Sequence, residues 1–429
     1  RGRRDAHEAG VPSGLHAQRV KRTRNLYNLE TKGASRRLTL YNRPDNVLMS
    51  TLALVPTPPD TLLLAAAPPR SPARATFLIT GLLLAVLLPT TCALGQFQYR
   101  CRLMATAAVP YAGSWAFMSL EWGLNQPAVL IVQPGSTARV TLQAGFWDSR
   151  TGRPVSLRGA EQMQWELAQQ AWVGNLRGGL QMFWVAPGIL EIRLPPDTWG
   201  DAALRLTSLW MPTPQSPRYP QQSASVSLVL LAPRHMPQLP SDGTIDGYPL
   251  GRYPSGCCPP EWFVPVPDAA EDHYLTPFFR LSEFTCAQPS AVALKYTVID
   301  YALLEKLEKL QRVLLNAVPG TRITTSNGHG GYRSPQYNAQ VGGAARSRHM
   351  WGDAFDFRVV QGTSRTLADL NGDGVVGQAD GEWLRSMVRD LENRALVRPG
   401  GFGIYGNGKN SRLFFHIDTR GQAVDWKDD

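Results

Sequence analysis

Cysteine is scarce in this chain, and charge is thin. Five cysteines among 429 residues exclude a disulfide-dense miniprotein. No two of them are separated by two residues, which argues against a metal site built from cysteine alone. Charged residues make up 18% and hydrophobic ones 43%, a balance that excludes wholesale disorder. Acidic residues are the scarcer sign, 34 against 44 Lys+Arg, giving a formal net charge of +10. Such an excess points to a polyanion or a membrane surface only if it belongs to the folded part.

It does not. Residues 1–74 hold 13 basic and 5 acidic residues, residues 75–95 hold none, and residues 96–429 hold 31 and 29. The leader 1–74 has few aromatics, no sustained periodicity and a Pro-rich end, and does not read as a domain. Arg70 and Arg74 precede the apolar run from Ala75 to Pro89, with small residues at Ala93 and Gly95. That is the pattern of a secretory signal peptide cut before Gln96. An uncleaved membrane anchor or a buried core helix are the rival readings, since the run is borderline for the roughly 20 residues that span a bilayer. Met49 is a natural start for such a signal, which makes residues 1–48 an over-extended leader. Export to a periplasmic or extracellular space follows. It would allow Cys101, Cys257, Cys258 and Cys286 to form one or two disulfides.

The exported part divides into a β-rich region (96–235), a Pro- and Gly-rich linker (236–269) and an α+β region (270–429). Val129–Val132, Ala138–Leu142, Leu180–Val185, Ile189–Leu194 and Ser225–Leu231 read as strands separated by turn residues, the pattern of an all-β sandwich. Trp147, Trp165, Trp172, Trp184 and Trp199 read either as core and turn aromatics or as a glycan-binding platform. In the α+β region, Leu303, Leu307, Leu310, Val313 and Leu314 mark one face of a helix over Ala302–Ala317, ended by Pro319-Gly320. Ile323–Thr325, Phe402–Tyr405 and Leu413–Ile417 read as strands.

The densest polar cluster runs from Ser347 to Asp356. His349 and Asp356 offer nitrogen and oxygen to a divalent ion, and His416, in an apolar strand pattern, is the candidate third ligand. On spacing alone, His416 as a hydrogen-bonded core histidine stays open.

The surrounding residues narrow the choice. Gly331-Tyr-Arg-Ser-Pro-Gln-Tyr-Asn338, Val341–His349, the Ser347/His349/Gly352/Ala354/Asp356 spacing, Gly400–Tyr405 and Phe415–Gly421 with Trp426 together resemble the M15 family of zinc D-alanyl-D-alanine carboxypeptidases. The resemblance covers roughly 270–427 and includes the lead-in Tyr274–Cys286. It implies the fold shared by those carboxypeptidases and hedgehog proteins, with zinc on His349, Asp356 and His416. It implies that Arg333 holds a substrate carboxylate or carbonyl, its planar fork suiting that task, with Tyr332 and Ser347 beside the substrate. His329 and Asp353 are further neighbours. The chain departs from the pattern at Leu413, where many relatives carry an acidic base three residues before the last histidine. Asp418 is the nearby carboxylate. Two residues apart on a strand face the same side, so Asp418 is expected as proton acceptor or as partner of a ligand.

A second motif lies between the second and third zinc ligands. Asp369, Asn371, Asp373, Val375 (through its carbonyl) and Asp380 fall at calcium-loop positions within 369–380, with Gly374 at the sharp turn. It resembles the loop of dockerin repeats, present here once, and implies bound calcium.

The reading is therefore an exported zinc peptidase that cuts peptidoglycan stem or cross-link peptides next to a D-amino acid, as carboxypeptidase or endopeptidase. The alternative is a non-catalytic, metal-containing protein that binds cell wall or glycan, since relatives of this fold include signalling proteins that keep zinc. A nucleic-acid partner is not expected, because residues 96–429 are nearly neutral. Membrane contact is expected only if 75–95 is retained as an anchor.

Overall fold

The β-rich part opens on a long ribbon that the sequence disguises with alanines. Strand β1 (Phe97–Tyr111) turns its odd-numbered residues inward, and Tyr99, Cys101, Leu103, Ala105, Ala107 and Val109 are all buried. The computed structural model describes residues 97–428 except 152, 156–167, 174–175, 211–221, 289–291, 293, 326–327, 363–365 and 407–412. The leader 1–74, the apolar run 75–95 and Trp165 lie outside the described residues. Among the described residues, no helix is long and apolar enough to cross a membrane.

After β1 come β2 (Ser114–Glu121), β3 (Ala128–Ile131), β4 (Thr137–Asp148), β5 (Pro154–Val155), β6 (Ala168–Val173), β7 (Gln181–Ala186), β8 (Ile189–Arg193), β9 (Gly200–Trp210) and β10 (Gln222–Ala232). One sheet has the order β2-β1-β4-β8-β7 with β5 beside β4, and the other β3-β10-β9-β6. All pairings are antiparallel except β3 with β10. Leu103, Val140 and Ile192 of the first sheet share one core with Leu204, Val226 and Leu228 of the second. Tyr99 Oη and Ser208 Oγ, 2.6 Å apart, tie the sheets through a buried hydrogen bond.

The stretch 236–269, read as a linker, is built into the fold. Short strands β11 (Arg234–His235), β12 (Thr244–Ile245) and β13 (Tyr248–Pro249) lead to β14 (Trp262–Pro267), which pairs with β11 and with β15 (Leu294–Thr297). Ile245, Tyr248, Leu250 and Phe263, scattered among prolines and glycines, form a core with Tyr296 and Tyr332. Their apolar surface is removed from water there, which a free linker cannot achieve.

Helix α1 (Tyr301–Ala317) is capped by Asp300, whose carboxylate accepts the Ala302 amide at 2.9 Å. Leu303, Leu307, Leu310 and Leu314 are buried, as the spacing predicts. The chain continues through β16 (Thr321–Thr324), α2 (Pro335–Gln340), β17 (Ala354–Gln361), α3 (Gln378–Asn393), β18 (Gly401–Tyr405), β19 (Phe414–Asp418) and β20 (Val424–Asp428). These strands form one sheet in the order β16-β17-β19-β18-β20. The β-rich part reaches across to this region: Tyr111 donates to Glu305 at 2.9 Å, and Trp122 Nε1 donates to the Tyr274 carbonyl at 2.8 Å.

The expected disulfides are absent among the described residues. Cys101, Cys257, Cys258 and Cys286 are all free thiols. Cys101 lies inside the β core and Cys286 inside the second core, each among apolar side chains.

Candidate metal centre

Strand register builds most of this site. In the antiparallel pair β17–β19, Asp356 stands directly opposite His416, and Gly403 of β18 flanks His416 on the other side. His349 arrives from a one-turn 3-10 helix (Arg348–Trp351) just before β17. The turn between helix and strand depends on Gly352, whose φ is +69° and where a Cβ would lie 2.2 Å from the Val298 carbonyl oxygen. No other residue fits both demands, which explains the glycine three residues after the histidine. Gly403 serves a different need: a Cβ there would lie 2.5 Å from Trp426 Nε1, so its absence lets the indole cover the sheet beside His416.

Three donor atoms converge. His416 Nδ1 is 2.8 Å from Asp356 Oδ1, His349 Nε2 is 3.2 Å from the same oxygen, and the two ring nitrogens are 3.2 Å apart. Their outer partners fix the tautomers. His349 Nδ1–H donates to the Gly331 carbonyl at 2.6 Å, and His416 Nε2–H faces Asp418 Oδ2 at 3.3 Å. In that arrangement the facing nitrogens each present a lone pair, toward one another and toward a carboxylate oxygen. A cation among them resolves the repulsion. The spacings also suit a tetrahedral ion with bonds of roughly 2.0–2.1 Å, whose ligand edges measure about 3.3 Å. Among the described residues this is the one group of His, Cys, Asp or Glu side chains close enough to hold a metal.

Electrostatics agree. Burial alone would raise the Asp356 pKa, but the two imidazoles hold it well below the usual carboxylate range. Burial lowers the His349 pKa and favours the neutral ligand form. At His416 burial pulls the pKa down, and the Asp356 and Asp418 carboxylates outweigh it and raise it. A carboxylate behind a histidine raises its basicity as a ligand.

The other expected residues separate into those at the cleft and those outside it. A cleft of about 570 Å³ opens on the triad, lined among others by Arg333, Arg346, Ser347, Arg348, Tyr405, Arg420 and Trp426. Arg333 is where the sequence places it, its guanidinium on Asp356 Oδ2. Ser347 precedes the 3-10 helix without capping it through its side chain, and lines the cleft. His329 lines a neighbouring pocket of about 310 Å³, which shares Arg333, Asp356 and Phe414 with the cleft.

Three expectations are corrected. Tyr332 is 2% exposed in the second core, its hydroxyl 3.3 Å from that of Tyr253, so its side chain serves packing, and it borders the smaller pocket beside the cleft and not the cleft itself. Asp353 is spent on both nitrogens of the Arg348 fork. Asp418 fits the role of ligand partner and not that of proton acceptor. It lies behind His416, fully buried, and does not line the cleft. Besides His416 it accepts the Gly401 amide at 2.7 Å and a guanidinium of Arg420. Burial would raise its pKa, but His416, Arg420 and that amide hold it below the carboxylate range, the wrong direction for a base. Leu413 is buried in the core and contributes nothing polar to the cleft. Among the described lining residues, the cleft's only carboxylate is therefore Asp356 itself.

The expected calcium loop, 369–380, is held together by its own amides. Asp369 accepts the amides of Gly372 and Gly374, both at 2.8 Å, and Asp373 accepts that of Val375 at 2.8 Å. Asp380, fully buried, accepts Leu370 at 2.6 Å, Asn371 at 3.2 Å and Gly377 at 2.7 Å. The loop closes on its own amides, and among the described residues no three of its carboxylates gather as closely as the His349, Asp356 and His416 group does. Asp380 stands at the third position of α3 and reaches back to the helix start, where it serves as a cap. Of the tryptophans singled out in the β-rich part, Trp199 is covered, with both Arg177 and Arg234 over its ring at 4.8 and 4.6 Å, while Trp184 is exposed.

Sequence reasoning passed over Arg346 and Arg420. Arg420 was legible as the arginine two residues past Asp418. The model of the Peptidase M15 family matches residues 278–378, from the lead-in to α1 through the first two candidate ligands and the loop before α3. The match supports an M15 peptidase domain in this part of the chain. No curated protein and no solved structure matches the chain.

Proposed function

We propose that this chain is a zinc-dependent peptidase that hydrolyses peptidoglycan stem or cross-link peptides next to a D-amino acid. The observation that carries the reading is the convergence of His349 Nε2, Asp356 Oδ1 and His416 Nδ1, each within 3.2 Å of the others. The family match makes peptide hydrolysis the chemistry to expect there. When bound, the metal supplies the Lewis acidity that amide hydrolysis needs.

The chain's own residues do the rest. Gly331 and Asp418 hold the outer N–H groups of the two histidines and keep both rings aimed inward. Arg333, on the outer oxygen of Asp356, is placed to take a substrate carbonyl or carboxylate. Arg348 and Arg420 are paired with Asp353 and Asp418, and Arg346 adds positive charge at the cleft, which favours a peptide that carries a carboxylate. The pockets on either side of the Arg333–Asp356 pair leave room for a peptide that continues past the cleaved bond.

The test is digestion of purified peptidoglycan by zinc-loaded protein, following both terminal D-Ala release and loss of cross-links. Metal content is measured in parallel for wild type and His349→Ala. The reading expects about one zinc per wild-type chain, its loss in the variant, and soluble products from wild type alone. Zinc retained in full by His349→Ala would sink the ligand assignment. A second reading rests on the missing free carboxylate in the cleft and on Leu413 in the core: a metal-containing protein that binds wall or glycan without cutting it. Zinc-loaded protein that sediments with wall from several chemotypes yet releases no product would favour it.

A further inference from the structure

Behind the metal-bearing helix lies a second cavity, of about 520 Å³, that the peptidase reading does not use. Its size falls in the range of roughly 300–1,000 Å³ typical of small-ligand sites. The β1–β2 turn, the Cys258–Trp262 segment and the start of α1 form its walls, together with Arg348, Trp351 and Arg398.

Its chemistry is specific. Trp115 and Trp262 meet edge to face at 5.3 Å, and Trp351, held by its Nε1–H on the Cys258 carbonyl at 2.9 Å, completes a set of flat apolar walls. Its polar groups include a donor and an acceptor that do not satisfy one another, while Glu261, also on the wall, faces His235 at 3.5 Å. Asp300, 8% exposed, uses Oδ1 for the amides of Ala112 and Ala302, at 2.8 and 2.9 Å. Its Oδ2 takes no protein donor among the described residues. Arg398 uses Nε on the Thr419 carbonyl at 2.7 Å, and its two terminal nitrogens take no acceptor among them. No ion pair joins Asp300 to Arg398, although both line the cavity. Arg348, also lining it, is already neutralised by Asp353.

A ligand that fits must give a hydrogen bond to a buried carboxylate, accept one from a guanidinium, carry no net charge, and lay a flat apolar face on indole. Hydroxyl groups on a ring both donate and accept, and a pyranose has such a face. A charged ligand would meet the wrong partner at one end of the Asp300–Arg398 gap. We propose that this cavity binds a neutral saccharide of one or two rings, independently of the metal cleft.

The test titrates the full chain with N,N′-diacetylchitobiose and, separately, cellobiose, by calorimetry and tryptophan fluorescence. Saturable binding of at least one is expected, weakened ten-fold or more in Arg398→Gln and in Asp300→Asn, a change that keeps a capping side chain for α1. Melting temperatures confirm that each variant is folded, and Trp115→Ala replaces any that is not. Absence of saturable binding by either sugar overturns the proposal. So does binding unchanged in the folded variants, or binding lost in Arg346→Gln, which would put the sugar in the metal cleft. Tight binding of a neutral wall peptide displaced by neither sugar would also overturn it.

Discussion

Asp418 shows how much one side chain's direction decides. The sequence places it two residues after His416 and leaves two roles open. The structure turns it to the far nitrogen of the ring and surrounds it with Arg420 and the Gly401 amide. Loss of such a partner typically costs 10- to 100-fold in metal affinity. Asp418→Asn is expected to weaken zinc binding by about that factor, measured by competition with a chelator. Its depressed pKa also makes it an acid-sensitive element. The folded value lies below the unfolded value of about 3.9, so its stabilisation is present above that pH and lost as pH falls through the folded value. Asp418→Asn should therefore flatten the loss of stability in urea titrations run from pH 5 downward. Cysteine gives a simpler test. Burial pushes the Cys101 thiol up to about 12 and raises that of Cys286, while Cys258 is exposed. Alkylation of native protein at pH 8, read by mass spectrometry, should modify Cys258 and spare Cys101 and Cys286. The three ligands were legible from spacing and resemblance, because a strand pair reports through its sequence. The outward roles of Tyr332 and Asp380 were not, because each is set by neighbours distant in sequence or by a helix start that the motif hides.

Helix α1 was readable from its leucines, and what it also carries was not. Lys306, on the same buried face, is fully inaccessible and donates to Glu392 of α3 at 2.5 Å and to the Asp418 carbonyl at 2.9 Å. Glu392 in turn accepts the Gly400 amide at 3.0 Å and pairs with Arg389, which reaches Asp425 of β20. Burial lowers the Lys306 pKa and Glu392 opposes it. Removing one partner leaves an uncompensated buried charge. Lys306→Met is expected to cost about 3–5 kcal/mol in denaturant unfolding, and Lys306→Met with Glu392→Leu to recover a large part of it. No periodicity announces this pairing, because its members lie 86 positions apart. The capping role of Asp380 makes a smaller claim: Asp380→Ala should cost roughly 1–2 kcal/mol whether or not calcium is added. The five strands named from composition in the β-rich part all formed. Strand β1 escaped notice because two of the six residues on its inward face are alanine, a residue of low strand preference.

At the scale of the molecule, charge and mass divide unevenly. Basic excess sits in residues 1–74, outside the described part, and the remainder is close to neutral. On a cation exchanger at low salt, the full chain should be retained and a chain starting at Gln96 should elute early. The strand-rich character of the first part and the helix and strands of the second were legible, but the built-in path from 236 to 269 was not, since prolines and glycines conceal its core. The Lys306 network has a consequence for biosynthesis. The carbonyl it grips belongs to a strand that leaves the ribosome more than a hundred residues after α1. Until that strand is made, His349 and Asp356 stand without His416, and Lys306 of α1 holds Glu392 alone. Convergence of the three donor side chains is thus a late event in synthesis, and a chain clipped before His416 would lack one of them.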